Sequence, residues 1–506
     1  MKNLFVVCFL FVTVVYGFPK DVANNSEKGM DSKTEIQGLD TAVESGLEDV
    51  LVDHHIEFAS KKLDSNHKGK KKTIKKAHTD EEGEGKVWVF LVAGSDGWTN
   101  YRHQADICHA YQTIVLRGIP KENIIVMMKD DIATNDLNPY KGKIINEPNG
   151  TDVYEGVIID YRGNDVTPDN FLKVLEGDKK AMEGIGSGRV IESTEKDTIF
   201  VNFDDHGSYG YVIFPNRQKL SAQNLSEAVH RMIEKKKFDK MLLYIETCES
   251  GSMADGLYSS NSSVLVLTAA GRFESSWACY CQESSLPCLG DAFSVSWMAD
   301  LYQEFMATNK SIFEQFDAVR SSTRRSHVNI YGDYNLARLR LQDFFGKHFK
   351  ARTLENSMRE PVYDLVDARD VSLHWFKKMA KTYTKSAGAD RYSQMVEKIE
   401  EGRDLIDHVF YKIIDAIARD GKEYDDVIEG RHAINFKTSN CYEKLINDFS
   451  DECVDIYKNS YTLRHLYTFY NLCLLEETHN RQINPEFKKA MESVCNEQTR
   501  QLSDID

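Results

Sequence analysis

The chain has 506 residues, of which 41% are hydrophobic, and a formal charge of −16. That length gives room for two or three domains, and the acidic balance excludes non-specific nucleic-acid binding by the chain as a whole. An acidic surface carries less net charge in an acidic compartment, which is compatible with an endolysosomal enzyme.

The chain opens with Lys2, an apolar run over 4–16 and Gly17. A basic start, a short apolar core and a small residue read as a secretory signal peptide over 1–17. The run is too short for a comfortable membrane span, and no other candidate span follows, so the mature protein is expected to be soluble and to enter the secretory pathway. Asn24, Asn149, Asn224, Asn261 and Asn309 are each followed two places on by Ser or Thr, which makes them glycosylation candidates.

Residues 18–85 are polar, charged and weakly periodic, and read as a mobile N-terminal extension. The basic run at 68–76 (KGKKKTIKK) is read as a solvated linker in preference to a processing or polyanion site, and His54-His55 likewise. Order begins near residue 86. Strands are expected at 87–93 (VWVFLVA), 123–129, 198–203 (TIFVNF), 241–246 and 263–269, with helices at 104–117, from 169, and at 221–237, where Ser221 or Asn224 would serve as N-cap. Strands alternating with helices indicate a mostly parallel sheet flanked by helices, an α/β domain over 86–345. Residues 346–370 are charged and irregular and read as a linker. From 371 to 506 the pattern is helical without strands, with helices at 371–381, 391–419, 439–458, 463–476 and 485–502.

Ten cysteines are present. Cys441, Cys453, Cys473 and Cys495 cluster in the helical region, which in an oxidising compartment implies two bridges. Cys279, Cys281 and Cys288 form a looser group. Metal binding is the rival reading of Cys-x-Cys, but no matching His/Cys pair completes a tetrahedral set nearby, so no metal and no other cofactor is expected.

The stretch that organises the chain is 241–253 (MLLYIETCESGSM): a buried strand that ends by presenting Cys248 beside small residues. The strand at 198–203 runs straight into Asp204-Asp205-His206-Gly207. If the two strands are parallel neighbours, Cys248 and His206 share one carboxyl edge, where α/β folds place their sites. A thiol beside an imidazole is an activated nucleophile, and the Gly207 and Cys248 amides could form an oxyanion hole.

These residues resemble the legumain (asparaginyl endopeptidase) family, of the caspase-like clan of cysteine proteases. The similarity runs through 93–106 (AGSDGWTNYRHQAD), 204–208, 244–253, 274–280 and 289–291, and recurs at 463–473 (LRHLYTFYNLC). The resemblance implies a caspase-like sheet followed by an all-α C-terminal prodomain. It implies Cys248 as nucleophile, His206 as base and Asn100 as the residue that orients the histidine, with Gly207 as an oxyanion donor. It implies a specificity pocket of Arg102, His103, Glu246, Ser276 and Asp291, hence cleavage after Asn, with Asp tolerated as pH falls. It also implies the pairings Cys441–Cys473 and Cys453–Cys495, and a prodomain that acts as an intramolecular inhibitor, with Arg464 facing the acidic rim near Glu249. Acid would protonate that rim and release the prodomain. Self-cleavage is expected at Asn356, because no other asparagine lies between it and Asn435. Partners would be protein and peptide substrates carrying Asn, and cystatin-type inhibitors; the location would be a lysosome- or vacuole-like compartment or the exterior. A peptide ligase or transamidase of the same clan is the alternative activity. The sequence departs from the family pattern at Asp204, where a hydroxyl residue is usual, and this extra acid is expected to raise the pKa of His206. Cys281 and Cys288 are also additional, and a local bridge between them is conceivable.

Overall fold

A computed structural model describes residues 85–257, 262–282, 285–303, 309–346, 364–383 and 387–502. The signal peptide, the N-terminal extension, Asn24, Asn261 and Asn356 lie outside these residues. All the described residues belong to one compact unit.

The first part is α/β. In chain order it contains β1 (Val87–Ala93), α1 (Tyr101–Leu116), β2 (Ile124–Met128), α2 (Pro168–Glu176) and β3 (Thr198–Asp204). A small hairpin unit follows, β4 (Gly207–Ser208), β5 (Tyr211–Phe214) and β6 (Gln218–Ser221), then α3 (Ala222–Glu234), β7 (Lys240–Glu246) and β8 (Val264–Thr268). The part closes with β9 (Trp277–Cys279), β10 (Gly290–Asp291), α4 (Ala292–Gln303), α5 (Ile312–Ser322), β11 (Asn329–Gly332), α6 (Tyr334–Ala337) and α7 (Gln342–Phe345). The main sheet has the order β11-β8-β7-β3-β1-β2. All its pairs are parallel except β11 against β8.

Both faces of this sheet are covered, so its strands are apolar on both sides. Val89, Leu91 and Ala93 pack with Phe200, Tyr244, Trp297 and Phe345 on one face. Trp88, Phe90 and Val92 pack with Phe171, Phe203 and Phe214 on the other. The strict alternation along β1 is the two-residue period of a strand. Helix boundaries follow local chemistry. Thr167 caps α2 by accepting from Asn170 N, Pro168 occupies its first turn, and Gly177 ends it in the left-handed region at φ 75°. Ser221, not Asn224, caps α3.

After residue 363 the structure resumes with β12 (Val366–Asp367) and then α8 (Val371–Thr382), α9 (Ala387–Ile417), α10 (Gly421–Glu429), α11 (Ser439–Glu452), α12 (Leu466–His479), α13 (Ile483–Val494) and α14 (Glu497–Arg500). The helices bury a core of their own around Phe410, Phe449, Phe469 and Phe487. Disulfides Cys441–Cys473 and Cys453–Cys495 tie them together. A third, Cys281–Cys288, closes a short loop of the α/β part. The segment read as an irregular linker is docked rather than loose where it is described. Val366 and Asp367 pair antiparallel with Ala278 and Trp277 of β9. No helix of the described residues is long and apolar enough to cross a membrane.

Candidate active site

The sheet order places the site. From β1 the chain moves to β2 on one side and to β3 on the other, so the loops after β1 and β3 diverge at a topological switch point. Parallel pairing sets Asp204 opposite Glu246 as the last registered pair of β3 and β7. His206 and Cys248 each lie two residues further along, at the same carboxyl edge. The two loops touch there: a Cβ on Gly207 would stand 2.5 Å from the Cys248 carbonyl oxygen, so only glycine fits.

Cys248 is buried, and its Sγ lies 3.7 Å from Ser276 Oγ. Burial pushes the thiol up from its ordinary value, while the Arg369 guanidinium pulls it down. Glu249, immediately after it, holds a left-handed backbone at φ 52°, an unusual conformation for a side-chain-bearing residue. The turn is pinned from behind. Ser250 Oγ accepts from Ala270 N at 3.0 Å and Ser252 Oγ donates to Glu249 O at 2.6 Å. These serines are buried and support the loop that carries Cys248.

His206 Nε2 is 2.8 Å from Asn100 Oδ1. That contact makes Nε2 the protonated nitrogen and leaves Nδ1 as the basic one; Nδ1 has no hydrogen-bond partner among the described residues. The extra acid at Asp204 does not raise His206. Burial first, then Arg102 and Arg369, push it well below the usual histidine range. Asp205 is the acid in direct contact, its Oδ1 accepting from His206 N. Burial raises the Asp205 carboxyl well above the usual range, so it adds little negative charge beside the ring.

The expected pocket residues come together. Arg102, from the first turn of α1, donates through Nε to Asp291 Oδ1 at 3.0 Å, and both side chains are buried. Glu246 ends β7 and accepts from Ser294 N at 2.9 Å. His103 Nδ1 lies 2.6 Å from Ser95 Oγ, and its ring meets that of His206 edge-on with centroids 5.1 Å apart. Burial, with Arg102 beside it, keeps His103 neutral well below the usual range. Three polar atoms of this group are buried without a hydrogen-bond partner among the described residues: Arg102 Nη2, Glu246 Oε1 and Asp291 Oδ2. Buried polar groups are rarely left so.

Two triplets, His103-Asp205-His206 and His103-Asp204-Asp291, hold potential ligand atoms within 4.8 Å of one another. Most of these groups are already engaged: His206 with Asn100, Asp291 with Arg102, and His103 with Ser95.

The most consequential residue that the sequence reading missed is Arg369. Its side chain is 1% exposed and donates through Nη2 to Glu249 Oε2 at 2.7 Å and to Gly207 O at 3.0 Å. Ala368 N donates to Ser276 O at 3.0 Å. The segment is held from the far side by Arg403, which donates to Arg369 O at 2.8 Å and to Asp370 at 2.5 Å. Arg464, expected to face the rim near Glu249, stacks over the Tyr461 ring at 4.8 Å and its charge still pulls the Glu249 carboxyl down, while the direct partner of Glu249 is Arg369. Arg464 sits at the start of a visible motif; Arg369 sits in a charged stretch with no periodicity to mark it.

Of the sequons, Asn149, Asn224 and Asn309 are exposed.

A cysteine and an amide-oriented histidine on adjacent loops of one sheet edge form the working parts of a cysteine-type acyl-transfer enzyme. Residues 87–347 match the model of the "Peptidase C13 family". Human legumain is 40% identical over 418 residues, covering 82% of this chain and 94% of its own. The hemoglobinase of Schistosoma mansoni is 33% identical over 420 residues, covering 83% and 93%. The vacuolar-processing enzyme of Glycine max is 33% identical over 417 residues, covering 78% and 83%. A caspase-1 structure from Spodoptera frugiperda covers 51% of this chain at 10% identity with a TM-score of 0.29, a likeness too slight to carry weight. The chain belongs to the peptidase C13 family, among the legumains, and is a cysteine-type endopeptidase.

Proposed function

We propose that the enzyme hydrolyses peptide bonds on the carboxyl side of asparagine and is made as a zymogen covered by residues 364–502. The observation that carries the specificity is the trio of unpartnered buried atoms. An asparagine carboxamide offers one acceptor oxygen and an NH2 with two donors. Arg102 Nη2 supplies the donor, and Glu246 Oε1 and Asp291 Oδ2 supply the two acceptors. An ionised aspartate meets two carboxylates there and is rejected; a protonated one enters as a poorer mimic. His103 and Ser276 line the same pocket.

In the reaction, His206 Nδ1 takes the Cys248 proton and the sulfur adds to the scissile carbonyl. The Gly207 and Cys248 amides receive the oxyanion, a contribution of about 3 kcal/mol for each donor. Collapse breaks the C–N bond as His206 returns the proton to the leaving amine. Water then hydrolyses the thioester, with His206 again as base. Asn100 holds the imidazole in the tautomer this cycle needs.

The covering role rests on where Arg369 lies. Val366–Ala368 run beside β9 as a substrate strand would, and Arg369 closes over the Gly207–Glu249 edge. The exposed pairs and tyrosine contacts of the helical part, such as Tyr442 Oη to Tyr209 O at 2.8 Å, extend the seal. Activation is then acid-triggered removal of this part, with Asn356 as the cleavage candidate, in an acidic compartment of the secretory route or outside the cell.

The test is a fluorogenic peptide pair differing only in Asn or Asp, offered to acid-treated protein. Strong preference for Asn at neutral pH is expected. Equal turnover of the two would defeat the pocket assignment.

A further inference from the structure

The strand that lies against β9 is preceded by a carboxylate. β12 pairs antiparallel with β9, Val366 opposite Ala278 and Asp367 opposite Trp277. Extended both ways, that register sets Ala368 opposite Ser276 and Asp364 opposite Tyr280. The contacts agree with it. Ala368 N donates to Ser276 O at 3.0 Å. Asp364 accepts from two successive backbone amides, Tyr280 N to Oδ1 at 3.1 Å and Cys281 N to Oδ2 at 2.7 Å. Two consecutive N–H groups aimed at one carboxylate form an anion-binding nest.

The nest belongs to the α/β part and its occupant to the cover. Tyr280 holds a left-handed backbone at φ 57°, which needs support from its surroundings. The Cys281–Cys288 bridge ties this turn and is buried with Ala278. Lys378 of α8 also grips it, donating to Cys281 O at 2.8 Å and to Leu286 O at 2.6 Å. Lys378 leaves with the cover, whereas the bridge stays. Removing the cover also frees one edge of β9, whose other edge is held by β10. Such an edge takes an extended peptide as an added strand: main-chain bonds hold it and its side chains are read one by one. Ser276 fixes where the peptide ends. Its Oγ is 3.7 Å from Cys248 Sγ, so the residue bonded to Ser276 O lies beside the nucleophile. A substrate on this track has its cleaved Asn where Ala368 lies, and the residue four places earlier where Asp364 lies.

We propose that the bridged turn at Tyr280 and Cys281 is a subsite for an aspartate side chain four residues before the cleaved asparagine of a substrate. This rests on the asparagine-pocket reading above, which fixes one end of the register. In the uncleaved chain Asp364 fills the subsite as a substrate carboxylate would. A carboxylate gains two charge-assisted hydrogen bonds there and an alanine gains none. Successive side chains of a strand point to opposite faces, so an acid one place nearer the Asn is turned away from the nest.

The experiment offers acid-treated full-length protein a set of acetylated five-residue peptides, each ending in Asn before a fluorogenic leaving group, at about pH 6, where an exposed Asp is ionised. The first residue is Asp or Ala; in a third peptide the first is Ala and the second Asp. The Asp-first peptide should exceed the Ala-first one in kcat/KM by about fivefold. The third should match the Ala-first peptide. Equal turnover of the first two overturns the proposal. An equal gain from both placements of Asp overturns it too, because attraction by Arg325, which stands over the Trp277 ring at 5.7 Å, would not distinguish the two faces. A Cys281→Ser, Cys288→Ser variant frees the turn and should lose most of the gain. A gain undiminished in that variant means that the carboxylate is read elsewhere and overturns the assignment; if the variant does not fold, the placement of Asp decides. A fourth peptide, Asp first and Gln in place of the Asn, separates the two readings. Cleaved as well as its Asn counterpart, it overturns the pocket reading, and the register argument falls with it.

Discussion

Arg369 and Glu249 form a buried ion pair at 2.7 Å, one residue beyond the candidate nucleophile. The pair joins the helical part of the chain to the catalytic edge of the sheet. Removing one partner of such a pair leaves an uncompensated buried charge, at a cost of about 3–5 kcal/mol. Arg369→Ala should therefore loosen the cover at neutral pH without harming the sheet, since Glu249 is then free to meet water. Uncleaved Arg369→Ala protein should turn over an Asn peptide at pH 7 while uncleaved wild type stays silent. A variant as silent as wild type, and equally resistant to labelling of Cys248, would show that the pair does not hold the cover.

The pH dependence of closure can be assigned by sign. Burial raises Glu249 to about 7, and Arg369 only partly offsets it. A carboxyl raised in the closed form contributes stability at low pH and loses it as pH rises through about 7. By this sign, protonating Glu249 alone favours the closed form. Burial pushes His374 and His465 below the ordinary histidine value of 6.5. Their contribution is present above pH 6.5 and lost as pH falls through their depressed values. These partly buried histidines would therefore loosen the helical part as pH falls. Melting of uncleaved protein between pH 7 and pH 5 should lose its acid slope in a His374→Gln, His465→Gln variant; an unchanged slope would remove the histidines from the account.

Much of this was legible in the sequence because the catalytic edge is built by continuous apolar strands. Residues 198–203 and 241–246 are strand-length and wholly buried, so their neighbours His206 and Cys248 could be placed by register alone. The proposed pocket was legible only through family resemblance, since Arg102, Glu246 and Asp291 come from α1, β7 and β10 and no spacing relates them. What sequence did not offer was the contact between Arg369 and Glu249. Arg369 reaches Glu249 across 120 positions, and its segment has no hydrophobic period to mark it. Helices α4 and α5 also escaped, α4 because an all-round apolar helix has no polar face to reveal its period. The supports Ser250, Ser252 and Ser294 read as small, permissive residues in a sequence. Their hydroxyls show a purpose only once Ala270, Glu249 and Glu246 are seen beside them.

Asn100 offers a test of the catalytic geometry that leaves the pocket alone. Its Oδ1 is 2.8 Å from His206 Nε2 and fixes which nitrogen is basic. Asn100→Ala lets the ring rotate and change tautomer. The expected loss is in kcat, on the order of 10²-fold, with KM for an Asn peptide little changed. A loss confined to KM would place Asn100 in substrate binding and not in orienting the base.

The rim of the cover makes the opposite prediction to its centre. Arg217, at the tip of the β5–β6 hairpin, pairs with Asp451 at 3.1 Å and with Asp455 of the helical part. Lys219 donates to Asn447 at 2.6 Å. Arg217 is 46% exposed, Asp451 70% and Asp455 15%, so water and salt reach the arginine and screen the attraction. Exposed pairs of this kind contribute about 0.2–1 kcal/mol and less as salt rises. Arg217→Ala should then leave uncleaved protein closed at pH 7 and shift its melting only slightly, whereas Arg369→Ala opens it. Opening by Arg217→Ala to the same degree would mean that the seal is spread along the rim and that the buried arginine is not its centre.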